Sequence, residues 1–135
     1  MIQLTIVTPE RSLITEQVDE IQIPGGEGYL GVLPGHAPLF TELKVGELSY
    51  RKGGNWNSLA VAWGFAEVLP DQVRVLAETA ERAQEIDLER AMRAKERAEQ
   101  RLSRGGEDLD YDRARIALQR ALIRIQVARK GHQAS

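Results

Sequence analysis

Side chains that commonly carry catalysis or bind metals are scarce in this sequence. Its 135 residues include two histidines, His36 and His132, and no cysteine. A metal site with three or more His or Cys ligands therefore cannot be assembled, and disulfides and a cysteine nucleophile are excluded. No motif indicates a serine nucleophile of the Ser-His-Asp type. These observations predict a chain that is not an enzyme and has no metal site.

A cluster of glycines is the part of the sequence that most resembles a phosphate-binding loop. Gly25, Gly26, Gly28 and Gly31 precede strand-like sequence, whereas a phosphate loop leads into a helix N-terminus, so the spacing favours a turn or bulge. The sequence has no G-x-x-x-x-G-K-S/T loop, and no G-x-G-x-x-G stands ahead of a helix. Aromatic residues make up 5% of the chain and do not alternate with basic ones, which disfavours nucleic-acid binding.

The net charge of −2 conceals a gradient along the chain. Residues 1–85 carry 12 acidic and 6 basic side chains, residues 86–108 carry 6 of each, and residues 109–135 carry 2 acidic and 6 basic. A basic tail behind an acidic body predicts that the tail meets an anionic group, either on this protein or on a partner.

The first 80 residues predict strands. Short runs rich in β-branched and apolar residues, several with period two, recur about every ten residues between turn signals. The predicted strands are 2–7, 18–23, 46–51, 58–63, 65–69 and 73–78. No stretch of this half has helical period, so the pattern favours a β-sandwich or barrel over alternating strands and helices.

The rest of the chain predicts two helices. Residues 87–103 are rich in strong helix formers, and a second helical segment starts near Asp110 after the Gly105-Gly106 break. In both segments alanines step by three and four, which makes a narrow apolar stripe. Two helices joined by a short loop predict an antiparallel hairpin. Because alanine buries little area, the contact between the helices is expected to be weak for its length.

No part of the sequence predicts insertion into a membrane. No apolar run approaches the roughly 18 residues of a spanning helix. The N-terminal segment MIQLTIVTPE lacks a basic n-region and a long apolar region, so no signal peptide is expected. Any association with a membrane is therefore expected to be indirect.

The helical half begins in the segment EIDLERA, residues 85–91. Asp87 is a favourable N-cap, because its carboxylate can accept a hydrogen bond from a free backbone N–H one turn on. Glu89 places negative charge in the first turn, where the helix dipole favours it. Nothing in these seven residues by themselves requires a ligand.

Two longer segments carry a family resemblance. GEGYLGVLPGHAPL (26–39) resembles the signature of epsilon subunits of bacterial F-type ATP synthases, and WGFAEVLPDQVRVLAETAERAQEIDLERA (63–91) resembles the next block of that family, which ends in I-D-x-x-R-A. The resemblance covers nearly the whole chain. It implies an α+β fold of two domains: an antiparallel β-sandwich of about ten strands in two five-stranded sheets over 1–84, and an antiparallel two-helix hairpin over 85–135.

The resemblance also implies a place and a role. The sandwich would lie in the central rotor stalk against the gamma subunit and the c-ring, as part of a peripheral complex at the cytoplasmic face of the bacterial plasma membrane. The subunit would couple gamma to the c-ring in proton-driven ATP synthesis. Its helices could extend into the alpha/beta catalytic head and inhibit ATP hydrolysis. The resemblance implies no nucleic-acid partner and no obligatory cofactor.

Some members of the family bind one ATP on the folded hairpin as a regulatory ligand. The resemblance places the corresponding ligand positions on eight residues of this chain. These are Glu81, Ile86, Asp87, Arg90, Ala91, Arg97, Arg120 and Arg124. Arginine suits a triphosphate because it is always charged and its donors form a planar fork. Arg120 and Arg124 are spaced i, i+4 and so share one face of a helix.

Each of these assignments has a simpler alternative. Asp87 could be only a helix cap, and Arg120 and Arg124 could be a solvated face or could bind acidic residues of the beta subunit when the hairpin is extended. Under these alternatives the chain is a constitutive structural coupler of the rotor that does not sense ATP.

The loop Pro34-Gly35-His36-Ala37-Pro38 also has two interpretations. It is most simply a rigid turn. The resemblance places it at the rotor contact, with Tyr29, Leu33 and His36 as the residues that would touch gamma or the c-ring. Some relatives have an acidic residue in place of Tyr29, so a polar contact that needs an acid is not expected here.

Overall fold

The computed structural model describes residues 1–133, which form eight strands, a single 3-10 turn and two helices. Ala134 and Ser135, the end of the predicted second domain, lie outside the described residues. The strands are β1 (Ile2–Val7), β2 (Ser12–Val18), β3 (Glu20–Gly25), β4 (Gly28–Val32), β5 (Leu39–Leu43), β6 (Gly46–Lys52), β7 (Asn55–Val68) and β8 (Gln72–Arg82). The 3-10 turn covers Ala83–Glu85, and the helices are α1 (Leu88–Arg104) and α2 (Tyr111–Gln133).

The strands form one hydrogen-bonded sheet that folds into two layers. The two longest strands pass from one layer to the other: β7 pairs with β6 through residues 55–61 and with β5 through residues 64–68. One layer contains β2, β1, β8, β7 and β5, and the other contains β4, β3, β6, β7 and β8. The predicted sandwich is therefore confirmed, although eight strands supply its ten strand segments within residues 1–133. The β1–β8 pair is parallel, so the sandwich is not wholly antiparallel as predicted.

The bend in β7 explains why two predicted strands are one. Residues 58–63 and 65–69 were expected to be separate, but they belong to a single strand that changes direction at Trp63 and Gly64. Trp63 has φ 54° and Gly64 has φ 121°. Both values lie outside the region that most residues adopt, and such a kink turns a strand without breaking its pairing with the neighbours.

Three strands were not predicted, namely β2, β4 and β5. Two of them expose most of their residues, and β4 contains two glycines, so neither apolar alternation nor β propensity marks them. The predicted turn in the glycine cluster is confirmed, because Gly25 pairs with Gly28 across the two residues that join β3 to β4.

The main core lies between the two layers and is aliphatic. Alternate residues of β1, β3 and β8 point into it, as period two requires. Its fully buried large side chains are Ile2, Leu4, Ile6, Val18, Ile21, Ile23, Val32, Leu48, Leu59, Val61, Val68 and Val73.

The predicted helical hairpin is confirmed. Asp87 caps α1 by accepting a hydrogen bond from the backbone N–H of Arg90 at 3.1 Å, and Gly105 ends the helix with φ 62°. The facing stripes are buried alanines: Ala91 and Ala98 on α1, and Ala114, Ala121 and Ala128 on α2. No helix in residues 1–133 is long and apolar enough to cross a bilayer.

The hairpin contacts the sandwich through α2, and we call this arrangement the docked state. A small second core fixes it, in which Val127 and Ala128 of α2 meet Ala60 of β7, Ala83 and Ile86. Gly131 approaches the backbone of Ala83 so closely that an added Cβ would lie 2.7 Å from the Ala83 Cβ. Close backbone approach is what a small residue permits at such a contact.

Candidate functional site

An ion pair joins the sandwich to α2 at the end of β8. The Arg124 guanidinium donates through Nε to Glu81 Oε1 at 2.8 Å and through Nη2 to Glu81 Oε2 at 3.1 Å. This two-pronged geometry is the strong form of an arginine–carboxylate contact. Glu81 and Arg124, which are both predicted to bind ATP, are thus paired with each other.

Arg120 lies one turn before Arg124 and contacts the bend of β7. Its Cζ lies 5.4 Å from the centroid of the Trp63 ring, which is within the range of a cation–π contact. Among the described residues Arg120 makes no ion pair or side-chain hydrogen bond, so its N–H donors are available to an anion.

The remaining predicted ATP residues lie at the start of α1, except for Arg97 in the middle of that helix. Ile86 is buried in the small core beneath α2, and Ala91 is buried in the alanine stripe. Asp87, Arg90 and Arg97 are exposed, and Asp87 serves as the helix cap. The structure therefore shows a structural role for Ile86, Asp87 and Ala91.

Helix geometry places the four predicted arginines on one side of the hairpin. Met92 and Glu96 of α1 line one groove with Leu122 and Arg129 of α2. Arg90 and Arg97 are seven residues apart and lie on the other flank of α1, and Arg120 and Arg124 lie on the other flank of α2. We call the arginines Arg90, Arg97, Arg120 and Arg124 the arginine flank.

The arginine flank does not enclose a nucleotide-sized cavity. The crevice lined by Glu81, Arg120 and Arg124 has a volume of about 10 Å³, whereas ligand pockets usually have roughly 300–1,000 Å³. A triphosphate would therefore bind over the open side of the flank, where the exposed Arg90 and Arg97 could reach it. It would also share or displace the Glu81 carboxylate on Arg124.

The three predicted rotor-contact residues form two separate groups. The backbone N–H of His36 donates to the Leu33 carbonyl at 3.1 Å, and the His36 ring contacts the Ala37 carbonyl through Nδ1 at 2.7 Å, which makes a tight turn beside Pro70. Tyr29 lies at the opposite end of β4, about 13 Å of strand away. Its exposed ring bears a hydroxyl that accepts a hydrogen bond from the backbone N–H of Glu47 at 3.1 Å.

An exposed apolar strip on the sandwich was not predicted from the sequence. Phe40, Phe65 and Leu76 lie on the neighbouring strands β5, β7 and β8, with exposed fractions of 65%, 44% and 55%. The two phenylalanine rings stack with their centroids 5.3 Å apart, and Phe65 is paired with Leu76. We call these three residues the apolar strip. Contiguous exposed apolar side chains of this kind mark contact surfaces.

The alternation of buried and exposed residues along β7 and β8 would have indicated the strip. In β8 the residues on both sides of Leu76, Val75 and Ala77, are buried, so Leu76 points outward between them. In β7, Phe65 likewise points away from the buried Ala66. An aromatic or leucine residue at an outward position of a predicted strand is the feature to look for.

The fold and these surfaces define a class of protein in which a β-sandwich carries a docked helical hairpin. No cluster of three potential metal ligands occurs in residues 1–133. Residues 1–83 match the β-sandwich domain of the ATP synthase delta/epsilon chain, and residues 84–129 match the long α-helix domain of the same chain. The chain belongs to the family of ATP synthase delta/epsilon chains, whose members are non-catalytic subunits.

Relatives support this assignment over nearly the full length. An ATP synthase epsilon chain of Syntrophobacter fumaroxidans is 53% identical over 129 residues, 96% of each chain. One of Geobacter metallireducens is 54% identical over 130 residues, which cover 96% of this chain and 94% of the relative. A chain in the cryo-EM structure of the Euglena gracilis mitochondrial ATP synthase, OSCP/F1/c-ring, is 29% identical with a TM-score of 0.80, covering 94% of this chain and 80% of that one.

Proposed function

We propose that this chain is a rotor subunit of a bacterial F-type ATP synthase that couples the gamma subunit to the c-ring in proton-driven ATP synthesis. It would act at the cytoplasmic face of the plasma membrane as a peripheral part of the complex. The family assignment supports the proposal, and the apolar strip is the observation that carries it. A protein that works alone has no need of stacked aromatic rings exposed on a sheet face.

The apolar strip gives a direct test of the rotor contact. Leu76→Lys leaves the core untouched, because the side chain is exposed, but it places a charge within the apolar strip, next to Phe65. We expect the affinity for purified gamma subunit to fall about tenfold or more, as at an interface hot spot. Met92→Lys is the matched control, since Met92 is similarly exposed but lies on α1. Equal affinities of the two variants would refute the assignment of the strip to the gamma contact.

We further propose that the hairpin regulates hydrolysis. In the extended state its helices would enter the alpha/beta head and inhibit ATP hydrolysis, and ATP bound on the arginine flank would favour the docked state. The buried alanines of the hairpin support this proposal, because an element held by little buried area opens at low cost. ATP can shift the balance only by as much as its affinities for the two states differ.

Calorimetric titration of the isolated chain with ATP tests the binding site. We expect saturable binding, with Arg124→Ala weakening it about tenfold or more, since a hydrogen bond to a charged group contributes about 1.5–3 kcal/mol. Arg129→Ala is the matched control on the opposite flank of the same helix. The absence of any heat at millimolar ATP would remove the sensor and leave the rotor function standing.

A second candidate function is a constitutive coupler whose hairpin stays docked without a ligand. The Glu81–Arg124 pair favours it, because Arg124 already has a partner in the protein. Substituting both Arg120 and Arg124 with alanine separates the two functions. A constitutive coupler predicts that hydrolysis by the assembled complex, and its dependence on ATP, are unchanged.

A further inference from the structure

The carboxylate of Glu47 is buried between the sandwich and the hairpin. Glu47 lies on β6 and is 6% exposed. It is the only charged residue that is buried in the described part of the chain. Buried carboxylates are rare in proteins unless they are paired and hydrogen-bonded. A glutamate in this position therefore indicates a specific arrangement of partners around it.

Three side chains donate hydrogen bonds to the Glu47 carboxylate. Gln126 Nε2 donates to Oε1 at 2.7 Å, Lys130 Nζ donates to Oε2 at 2.6 Å, and Ser58 Oγ donates to Oε2 at 3.0 Å. Ser58 belongs to β7, whereas Gln126 and Lys130 lie one turn apart on α2. We call Glu47, Ser58, Gln126 and Lys130 the Glu47 cluster.

The cluster is assembled by docking. Glu47, Ser58 and their strands belong to the sandwich and stay together when the hairpin moves, but Gln126 and Lys130 would leave with α2. Undocking would therefore break the two shortest bonds to the carboxylate. Charge-assisted bonds are about twice as strong as neutral ones, although the Lys130 side chain is 53% exposed and part of its attraction is screened.

Other forces that hold α2 on the sandwich are modest. The small core beneath α2 consists of three alanines, with one methyl each to bury, together with Ile86 and Val127. The Glu81–Arg124 pair and the Arg120–Trp63 contact lie at one edge of the contact, and both arginines are themselves proposed targets of the nucleotide. The Glu47 cluster is a further polar contact of α2 with the sandwich in residues 1–133, and it is independent of the arginine flank.

We propose that the Glu47 cluster is a ligand-independent catch that sets how often the hairpin leaves the sandwich. The inference rests on the proposed function in one respect, namely that the hairpin has an undocked state. The proposed role of the Glu47 cluster requires no nucleotide, so it can be tested in the absence of ATP. The result is therefore independent of whether the arginine flank binds ATP.

A pair of spin labels on the isolated chain tests the catch. The chain has no native cysteine, so Asn55→Cys on the sandwich and Gln119→Cys on α2, both exposed, can be labelled specifically. Pulsed electron spin resonance without nucleotide then gives the docked and undocked populations. In the Glu47→Gln variant we expect the ratio of undocked to docked chains to rise about tenfold, as loss of charge-assisted bonds predicts.

Two further variants keep the test decisive. Lys130→Gln changes an exposed side chain and leaves the sandwich intact, and it should raise the undocked ratio in the same direction. Glu16→Gln is the matched control, because Glu16 pairs with Lys52 at 3.7 Å wholly within the sandwich, and it should leave the ratio unchanged. Unchanged ratios in both Glu47→Gln and Lys130→Gln, or an equal rise in Glu16→Gln, would overturn the proposal.

Discussion

Single residues determine where the long strands turn, and Gly64 is the most constrained of them. Its φ of 121° lies in a region that side chains avoid, and a Cβ there would lie 1.9 Å from the Leu76 carbonyl oxygen. The neighbouring strand cannot move away without breaking the β7–β8 pairing. The bend therefore depends on a residue without a side chain at this position.

We predict that Gly64→Ala strongly destabilises the sandwich. The loss in the free energy of unfolding should be on the order of 3 kcal/mol or more, because backbone strain adds to a clash with backbone atoms. Gly53→Ala is the matched control: its φ is also positive, at 59°, but nothing lies within 4 Å of the added Cβ. It should cost only about 1 kcal/mol. Denaturant unfolding followed by circular dichroism measures both, and similar losses would contradict the clash.

Residue roles were predictable from sequence where they depend on near neighbours. Asp87 was expected to cap α1, and it does so through the backbone of Arg90, three residues on. Glu47 could not be predicted in the same way. Its partners Gln126 and Lys130 are 79 and 83 residues away, and a glutamate in a strand normally faces solvent. Only the packing of α2 shows that this one is buried.

The docking of α2 depends on a close approach at Gly131. We predict that Gly131→Ala increases the undocked population severalfold, because its methyl group would lie 2.7 Å from the Ala83 Cβ and overpacking of a tight contact is destabilising. The spin-label distances measure the population. Combining it with Ala83→Gly should restore docking, since that change removes the opposing methyl group. Failure of the double variant to recover would show that the contact is not the cause.

Docking should also weaken in acid. Burial raises the pKa of Glu47, but the hydrogen bonds from Lys130, Gln126 and Ser58 outweigh it and hold the pKa below its usual value of 4.5. When undocking exposes the carboxylate, its pKa returns towards that value. Because the pKa is lower in the docked state, the stabilisation is fully present above about pH 4.5 and is lost as the pH falls through the docked pKa.

The expected result is a docked population that is constant from about pH 7 to 5 and then falls. Lys130 is the titratable group that faces Glu47 from α2. The pKa of Glu85 is also lowered, since its bonds to Arg11 and Arg82 outweigh burial, but both partners lie on the sandwich rather than on α2, so docking does not change these bonds. The Glu47→Gln variant should therefore lack the acid effect. Identical pH profiles for this variant and the parent would contradict the assignment.

Elements were predictable to the extent that their burial follows a regular period. The helices were correct because their alanine stripes step by three and four, and β1 and β8 were correct because alternate residues are buried. The strands β4 and β5 each have one buried residue, so they carry little apolar alternation. They are strands because their neighbours supply hydrogen bonds, which is a tertiary cause.

In the whole molecule, the apolar strip and the surface on which α2 docks lie on different layers of the sandwich. The apolar strip lies on the layer that contains β1, β5 and β8, and α2 docks on the layer that contains β6. The proposed rotor contact can thus persist while the hairpin undocks as proposed. The resemblance supplied the class of protein, but this separation depends on how β7 crosses from one layer to the other, which only the structure shows.

The separation leads to a prediction for the assembled complex. If the hairpin inhibits hydrolysis when it is extended, Glu47→Gln should slow ATP hydrolysis at low ATP, because more hairpins leave the sandwich. The effect should shrink at high ATP, since a ligand that favours the docked state shifts the population back. Arg124→Ala should have a different effect, because high ATP should no longer relieve the inhibition of hydrolysis. Steady-state hydrolysis across ATP concentrations measures both, with Arg129→Ala as the control.

The two variants distinguish the catch from the sensor because only one of them changes the affinity for ATP. Glu47→Gln alters the docked population without touching the arginine flank, whereas Arg124→Ala lowers the affinity of the docked state for ATP in addition to removing a docking ion pair. A double variant should combine low hydrolysis with no relief by ATP. If instead Glu47→Gln abolished relief and Arg124→Ala left it intact, the nucleotide would have to act through the Glu47 cluster, and the arginine flank would be only a solvated face.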